Sequence, residues 1–152
     1  MSEIWIGFAE MNDLNSWMEL VKLVSWNFPG LETEELIQGY KENILVKNIK
    51  RKSAICAKDG ERVVGILVFS IKCNMLCCMA VHPDYRRRGI ASKLIKLMLN
   101  NLDKERDVVV ITFREGDEKG IAPRTLYKKL GFVEDELCEE FGYPQQKFIL
   151  HR

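Results

Sequence analysis

Apolar residues recur along this chain in two rhythms, a period near 3.6 and short dense runs, and the two alternate from one end to the other. Ile4-Trp-Ile-Gly-Phe-Ala9 reads as a first strand. From about Asn12 to Val24, Leu14, Trp17, Met18, Val21 and Val24 share one helical face, with Asn12 or Asp13 as N-cap. Ser25-Trp-Asn-Phe-Pro-Gly30 breaks that helix, and Thr33 opens a second running through Ile37, Tyr40, Ile44 and Val46 to about Ile49. Ser53–Lys58 and Arg62–Ile71 flank Asp59-Gly60, the signature of a tight hairpin. Asn74–Val81 reads as the next strand, and a helix follows from about Ile90 to Leu102. Asp107–Phe113 reads as a core strand, with Val108–Ile111 buried on both faces. After the polar loop Arg114–Gly120, Pro123 suits the first turn of a helix that continues through Leu126, Tyr127 and Leu130, and Gly131 sits at its C-terminal cap. Phe132–Cys138 and Gln146–Leu150 pair across Phe141-Gly-Tyr-Pro144. The order β-α-α-β-β-β-α-β-α-β-β, without repeats or linker, predicts one α/β layered domain over residues 1–152.

Composition narrows the function classes. The 152 residues are 47% apolar and 30% charged, which suits one soluble domain with a proper core. The formal net charge is +1, so nothing global favours nucleic acid or an anionic membrane surface. No run reaches the ~20 apolar residues of a membrane span, and Met1-Ser-Glu-Ile-Trp does not begin a secretory signal. Cys77 and Cys78 are neighbours on a strand and point to opposite faces, so they do not readily chelate one metal. The five cysteines read as free thiols in a reducing cytosol, with no metal site.

The densest chemistry lies at Met79-Ala-Val-His-Pro-Asp-Tyr-Arg-Arg-Arg-Gly-Ile-Ala-Ser92, where a strand meets an arginine–glycine loop and then a helix. Such a junction aims unpaired backbone N–H groups and the positive end of a helix dipole at one point, a natural seat for a phosphate or pyrophosphate. Arg86, Gly89 and Ala91 match Arg/Gln-x-x-Gly-x-Gly/Ala, and Leu126-Tyr-Lys-Lys-Leu-Gly-Phe132 matches Leu-Tyr-x-x-x-Gly-Phe. On these two motifs, and on the element order, the chain resembles the GNAT superfamily of N-acetyltransferases. The resemblance implies a mixed, mostly antiparallel sheet of about six or seven strands flanked by about four helices. It also implies that the strand ending near Val81 and the strand starting near Asp107 splay apart.

For acetyl-coenzyme A (acetyl-CoA), the resemblance implies pantetheine bonds to the backbone of Met79 and Val81. The pyrophosphate would rest on the amides of Arg87, Arg88, Gly89, Ile90 and Ala91, with Arg86 and Arg88 side chains and the Ser92 hydroxyl in reach. Tyr127 takes the place of the family's general acid. The reaction implied is direct transfer of the acetyl group to a primary amine of a small molecule or a peptide. An alkyl amine is only about 0.04% neutral at pH 7, a barrier of about 4.6 kcal/mol, so a base or water chain must take a proton. The strand before the loop carries no carboxylate, and the candidates are Glu115 or Asp117, Glu32, Glu34 or Glu35, Glu139 or Glu140, or water. The helix before Tyr127 has Gly120 where the family often has asparagine, with Arg124 as its replacement. The acceptor is expected between the segment joining the first two helices and the last hairpin, at Trp26, Phe28 and Tyr143. The remaining expectations are a cytoplasmic location, no nucleic-acid or membrane partner, and compatibility with a homodimer. A non-catalytic acyl-CoA-binding module stands as the alternative.

Overall fold

In the computed structural model, which describes residues 3–152, the chain builds one seven-stranded sheet in the order β1-β2-β3-β4-β5-β7-β6. Met1 and Ser2, the first two positions of the span read as one domain, lie outside the described residues. The strands are β1 (Ile4–Phe8), β2 (Ala54–Asp59), β3 (Arg62–Ser70), β4 (Met75–Val81), β5 (Val108–Phe113), β6 (Val133–Glu140) and β7 (Tyr143–Leu150). Neighbours pair antiparallel except β4 and β5, which run parallel. The helices are α1 (Leu14–Val24), α2 (Glu34–Tyr40), α3 (Val46–Arg51), α4 (Ile90–Asn101) and α5 (Ile121–Lys129). A π-helical segment, Lys41–Leu45, joins α2 directly to α3, so these two form one rod and the sheet carries four helical bodies. No helix among the described residues is long and apolar enough to cross a membrane.

Each face of the sheet closes its own core. On one, Leu67, Phe69, Leu76, Val108, Val110 and Phe148 pack against Leu94, Ile95 and Met98 of α4 and Tyr127 of α5. On the other, Cys56, Ile66, Val68, Cys78 and Ala80 meet Trp17 and Val21 of α1, Tyr40 and Leu45. The two faces follow from strand alternation: Gly65 and Leu67 look toward α4 while Ile66 and Val68 look toward α1. Gly65 sets how close α4 comes. A Cβ there would lie 2.9 Å from Ile90 Cγ2 and 3.2 Å from Ala57 Cβ. Gly65→Val should therefore cost about 1–3 kcal/mol by overpacking, read as a lowered urea midpoint at unchanged slope.

Local chemistry explains most boundaries. Thr33 caps α2, its hydroxyl accepting from Leu36 N at 3.1 Å. Gly131, at φ +98°, closes α5, with Phe132 N donating to Tyr127 O at 2.9 Å. Phe141 and Gly142, both at positive φ, form the two-residue turn between β6 and β7. Three expectations need correction. Asp13 holds the N-cap position of α1, but its carboxylate makes no capping bond there; it accepts from Glu10 N at 2.8 Å and pairs with Lys58 Nζ at 3.1 Å. The last hairpin is longer than its apolar residues suggested, because backbone pairing carries it to Glu140 and Tyr143. β5 is sealed on one face only: Val108 and Val110 are buried, whereas Val109 and Ile111 are half-buried, outside the core on the α1–α3 side.

Candidate active site

β4 and β5 register only at Met75↔Val109 and Leu76↔Val110. Beyond those pairs no ladder joins Cys77–Val81 to Ile111–Phe113 among the described residues, and the sheet opens toward its β4 C-terminal end. A bulge accompanies the opening: Val68 faces Cys78 and Phe69 faces Leu76, leaving Cys77 as the extra residue of β4. Nothing in the sequence marked that bulge, since it comes from a register slip and needs no turn residue. Met79 and Val81 are half-buried within the open stretch.

The chain leaves β4 through a 3-10 turn, Pro83–Tyr85, capped by His82, whose Nδ1 accepts from Asp84 N at 3.0 Å. That is a turn role. Burial is the first cause, and the Arg62 guanidinium the second, that holds the His82 ring below the usual histidine pKa. Tyr85 Oη donates to Asp59 Oδ2 at 2.6 Å, and the Arg88 guanidinium stands 4.8 Å from the Tyr85 ring centre. These contacts anchor the loop to the β2–β3 turn. Arg86, Arg87 and Arg88 are exposed, with Arg87 at φ +64°.

Gly89 is the residue before α4, at φ +73°, and its added Cβ would meet nothing within 4 Å. No side chain caps α4; its first bond runs from Lys93 N to Gly89 O at 3.1 Å. The amides of Ile90, Ala91 and Ser92 thus begin the helix without intrahelical acceptors. Ile90 is buried in the core, so the cradle is fixed to the sheet behind it. Open amides, three exposed guanidinium groups and clear space above Gly89 fit a pyrophosphate.

Tyr127 is 4% exposed, its ring tilted against Phe132 and Phe148 at 5.6 and 6.2 Å between centroids. Its hydroxyl has no hydrogen-bond partner among the described residues. Burial, with the Cys78 thiol as second cause, pushes its pKa far above 10. Tyr127 packs on the α4–α5 face of the sheet and Cys78 on the other, in the stretch of β4 beyond its last pair with β5. On the far side, Trp17 Nε1 donates to Tyr40 Oη at 3.2 Å, and Tyr40 Oη lies 3.5 Å from Cys78 Sγ. Tyr40 and Cys78 are both held protonated, first by burial. They line a pocket with Val21, Val24, Phe28, Leu31, Ile66, Met79 and Ala80.

The three residues expected to bind the acceptor divide two to one, since Lys119 Nζ reaches Trp26 and also lies 5.8 Å from the Tyr143 ring centre. Phe28 lines that pocket. Trp26 is 70% exposed, and its carbonyl accepts from Lys119 Nζ at 3.3 Å. Tyr143 Oη donates to Asp117 Oδ2 at 2.6 Å. Glu115 is exposed beside a different depression, lined by Asp117, Arg124, Thr125 and Lys128. Arg124 does not replace the missing asparagine. Its guanidinium is taken up by Phe113 O at 2.9 Å, Gln146 Oε1 at 2.7 Å and Glu134 at 3.2 Å. Gly120 leaves no room for a side chain either, since a Cβ would fall 2.8 Å from Phe113 Cβ.

The sequence model for the acetyltransferase (GNAT) domain matches residues 50–134, from the end of α3 to the start of β6. The chain belongs to the GNAT family. Solved structures share the fold of this GNAT chain across nearly its whole length. A GNAT-family acetyltransferase from Bacillus cereus superposes with a TM-score of 0.74 at 18% identity, over 99% of this chain and 98% of its own. The PaiA N-acetyltransferase of Thermoplasma acidophilum, solved with coenzyme A, gives 0.71 at 18% identity, over 95% and 98%. The diaminobutyrate acetyltransferase EctA of Paenibacillus lautus, solved with L-2,4-diaminobutyric acid and coenzyme A, gives 0.72 at 13% identity, over 99% and 96%. A search of curated proteins gives no match to this GNAT chain.

Proposed function

We propose that the protein is an N-acetyltransferase that moves the acetyl group of acetyl-CoA directly to a primary amine. The observation that carries this reading is the early end of the β4–β5 ladder beside the uncapped start of α4. An internal sheet edge with free N–H and C=O groups suits a ligand that carries amides, and the helix start suits its phosphates. Coenzyme A in two structures of the same fold supports the assignment.

In this reading acetyl-CoA supplies an acetyl group activated as a thioester. The backbone of Met79 and Val81 orients the amide-bearing arm. The amides of Arg87 through Ala91, with Arg86, Arg88 and Ser92, bind the pyrophosphate. Tyr127 keeps its proton throughout the physiological pH range and gives it from Oη to the departing sulfur. No carboxylate lines the Tyr40–Cys78 pocket, so the proton of the incoming amine leaves through water or through Glu115, which borders a separate depression.

The apolar lining of the pocket also gives footing to a second reading, a non-catalytic acyl-CoA-binding module. Calorimetry with acetyl-CoA, run beside coenzyme A release over a panel of amines and peptides, separates the two. Binding with amine-dependent release supports the enzyme, binding without release the module. No binding overturns both.

A further inference from the structure

Beside the open stretch of β4 is a pocket whose chemistry is unusually uniform. Its lining is Val21 and Val24 of α1, Phe28 and Leu31 of the α1–α2 connection, Tyr40, Ile66, and Cys78–Ala80 of β4. No Asp, Glu, Lys, Arg or His is among those residues. The polar side-chain atoms are Tyr40 Oη and Cys78 Sγ, and burial keeps both groups protonated. Tyr40 Oη accepts from Trp17 Nε1 and shares a contact with Cys78 Sγ in which either group can donate.

We propose that the acceptor is an amine carried on a small, uncharged apolar body, a short linear or branched alkylamine rather than a di- or polyamine. The body enters the Phe28–Tyr40–Cys78 pocket and leaves the reacting nitrogen at the β4–β5 opening. This rests on the acetyltransferase reading above. Position supports it: Cys78, Met79 and Ala80 line the pocket and lie in the stretch of β4 beyond its last pair with β5. Size limits it. The unfilled volume is about 250 Å³ with the mouth included, and the enclosed end takes about one water-sized group. One methyl of a branched terminus fills that end, and the rest of the short chain lies in the mouth. A second ammonium there would lose its water and meet no counter-charge.

The test compares isoamylamine with 1,4-diaminobutane, as kcat/KM and as calorimetric affinity for the coenzyme A-loaded protein. Isoamylamine should be favoured at least about tenfold, and each methylene added from methylamine upward should improve kcat/KM about 3–4-fold. Parity, or preference for the diamine, overturns the proposal. Val24→Phe and Leu31→Trp, which fill the pocket, should weaken isoamylamine at least about tenfold at unchanged coenzyme A affinity. If Val24→Phe does not fold, Leu31→Trp at the half-buried mouth decides alone. Coenzyme A binding with neither amine bound overturns this inference and leaves the acetyltransferase reading standing. Failure of coenzyme A itself to bind sinks that reading and this inference with it.

Discussion

Gly89→Glu is expected to raise the coenzyme A dissociation constant at least about 100-fold, a loss of about 2.8 kcal/mol. Packing is not the cause, because a side chain at Gly89 would project into open space. The loss comes from a carboxylate set against phosphates at the start of α4, and from φ +73°, which a residue with a Cβ adopts at a cost of about 1 kcal/mol. Gly89→Ala separates the two contributions. It carries the backbone cost alone and should weaken binding only modestly. Calorimetry on both variants, with urea unfolding to verify the fold, makes the comparison. Parental affinity in Gly89→Glu would remove the pyrophosphate from this helix terminus.

Tyr127→Phe should lower kcat by about 10²-fold and leave coenzyme A affinity within about twofold. The substitution removes one oxygen from a ring already packed by Phe132 and Phe148, so the cofactor cradle at α4 is untouched. With the Tyr127 pKa raised well above 10, its proton is retained through the working range. The rate should therefore rise with pH as the amine becomes neutral, with no descending limb from Tyr127 below about pH 10. Stability follows the same sign. The unfolded chain releases this proton near pH 10 and the folded chain does so later, so stability is full below about pH 10 and falls as pH climbs beyond it. Tyr127→Phe should flatten part of that alkaline fall in urea midpoints, with Tyr40 responsible for a further part. A near-normal kcat would assign the proton donor to water.

Where one residue dictates local backbone, the sequence was readable. Gly131 ends α5, Thr33 starts α2, and Asp59-Gly60 turns β2 into β3 because each supplies a conformation or bond that the position requires. Gly89 belongs to the same class: it stands at positive φ just before α4, where its spacing had put a loop opening onto a helix. What escaped depends on register and on which helix covers which strand. The Cys77 bulge is a slip between β3 and β4, and β5 is half-open because α1–α3 cover β2 to β4. The pocket at Tyr40 and Cys78 was the least legible part. Phe28, Trp26 and Tyr143 share an aromatic character, but only Phe28 reaches the pocket, and Leu31 and Val24 carried no chemical mark at all.

The rod formed by α2 and α3 contains one residue more than a regular helix needs. Its buried positions are Ile37, Tyr40, Leu45 and Ile49, and the wide turn at Lys41–Leu45 absorbs the long step between Tyr40 and Leu45. Deleting a single exposed residue from that turn, Glu42 or Asn43, would convert the steps to three, four and four, an ordinary apolar stripe. This rod should then tolerate a one-residue deletion that would rotate half of any other helix in the molecule out of register. A π turn of this kind is what an insertion leaves behind when a helix keeps both of its faces, and Tyr40 stands on its N-terminal side with its hydroxyl still directed at Cys78.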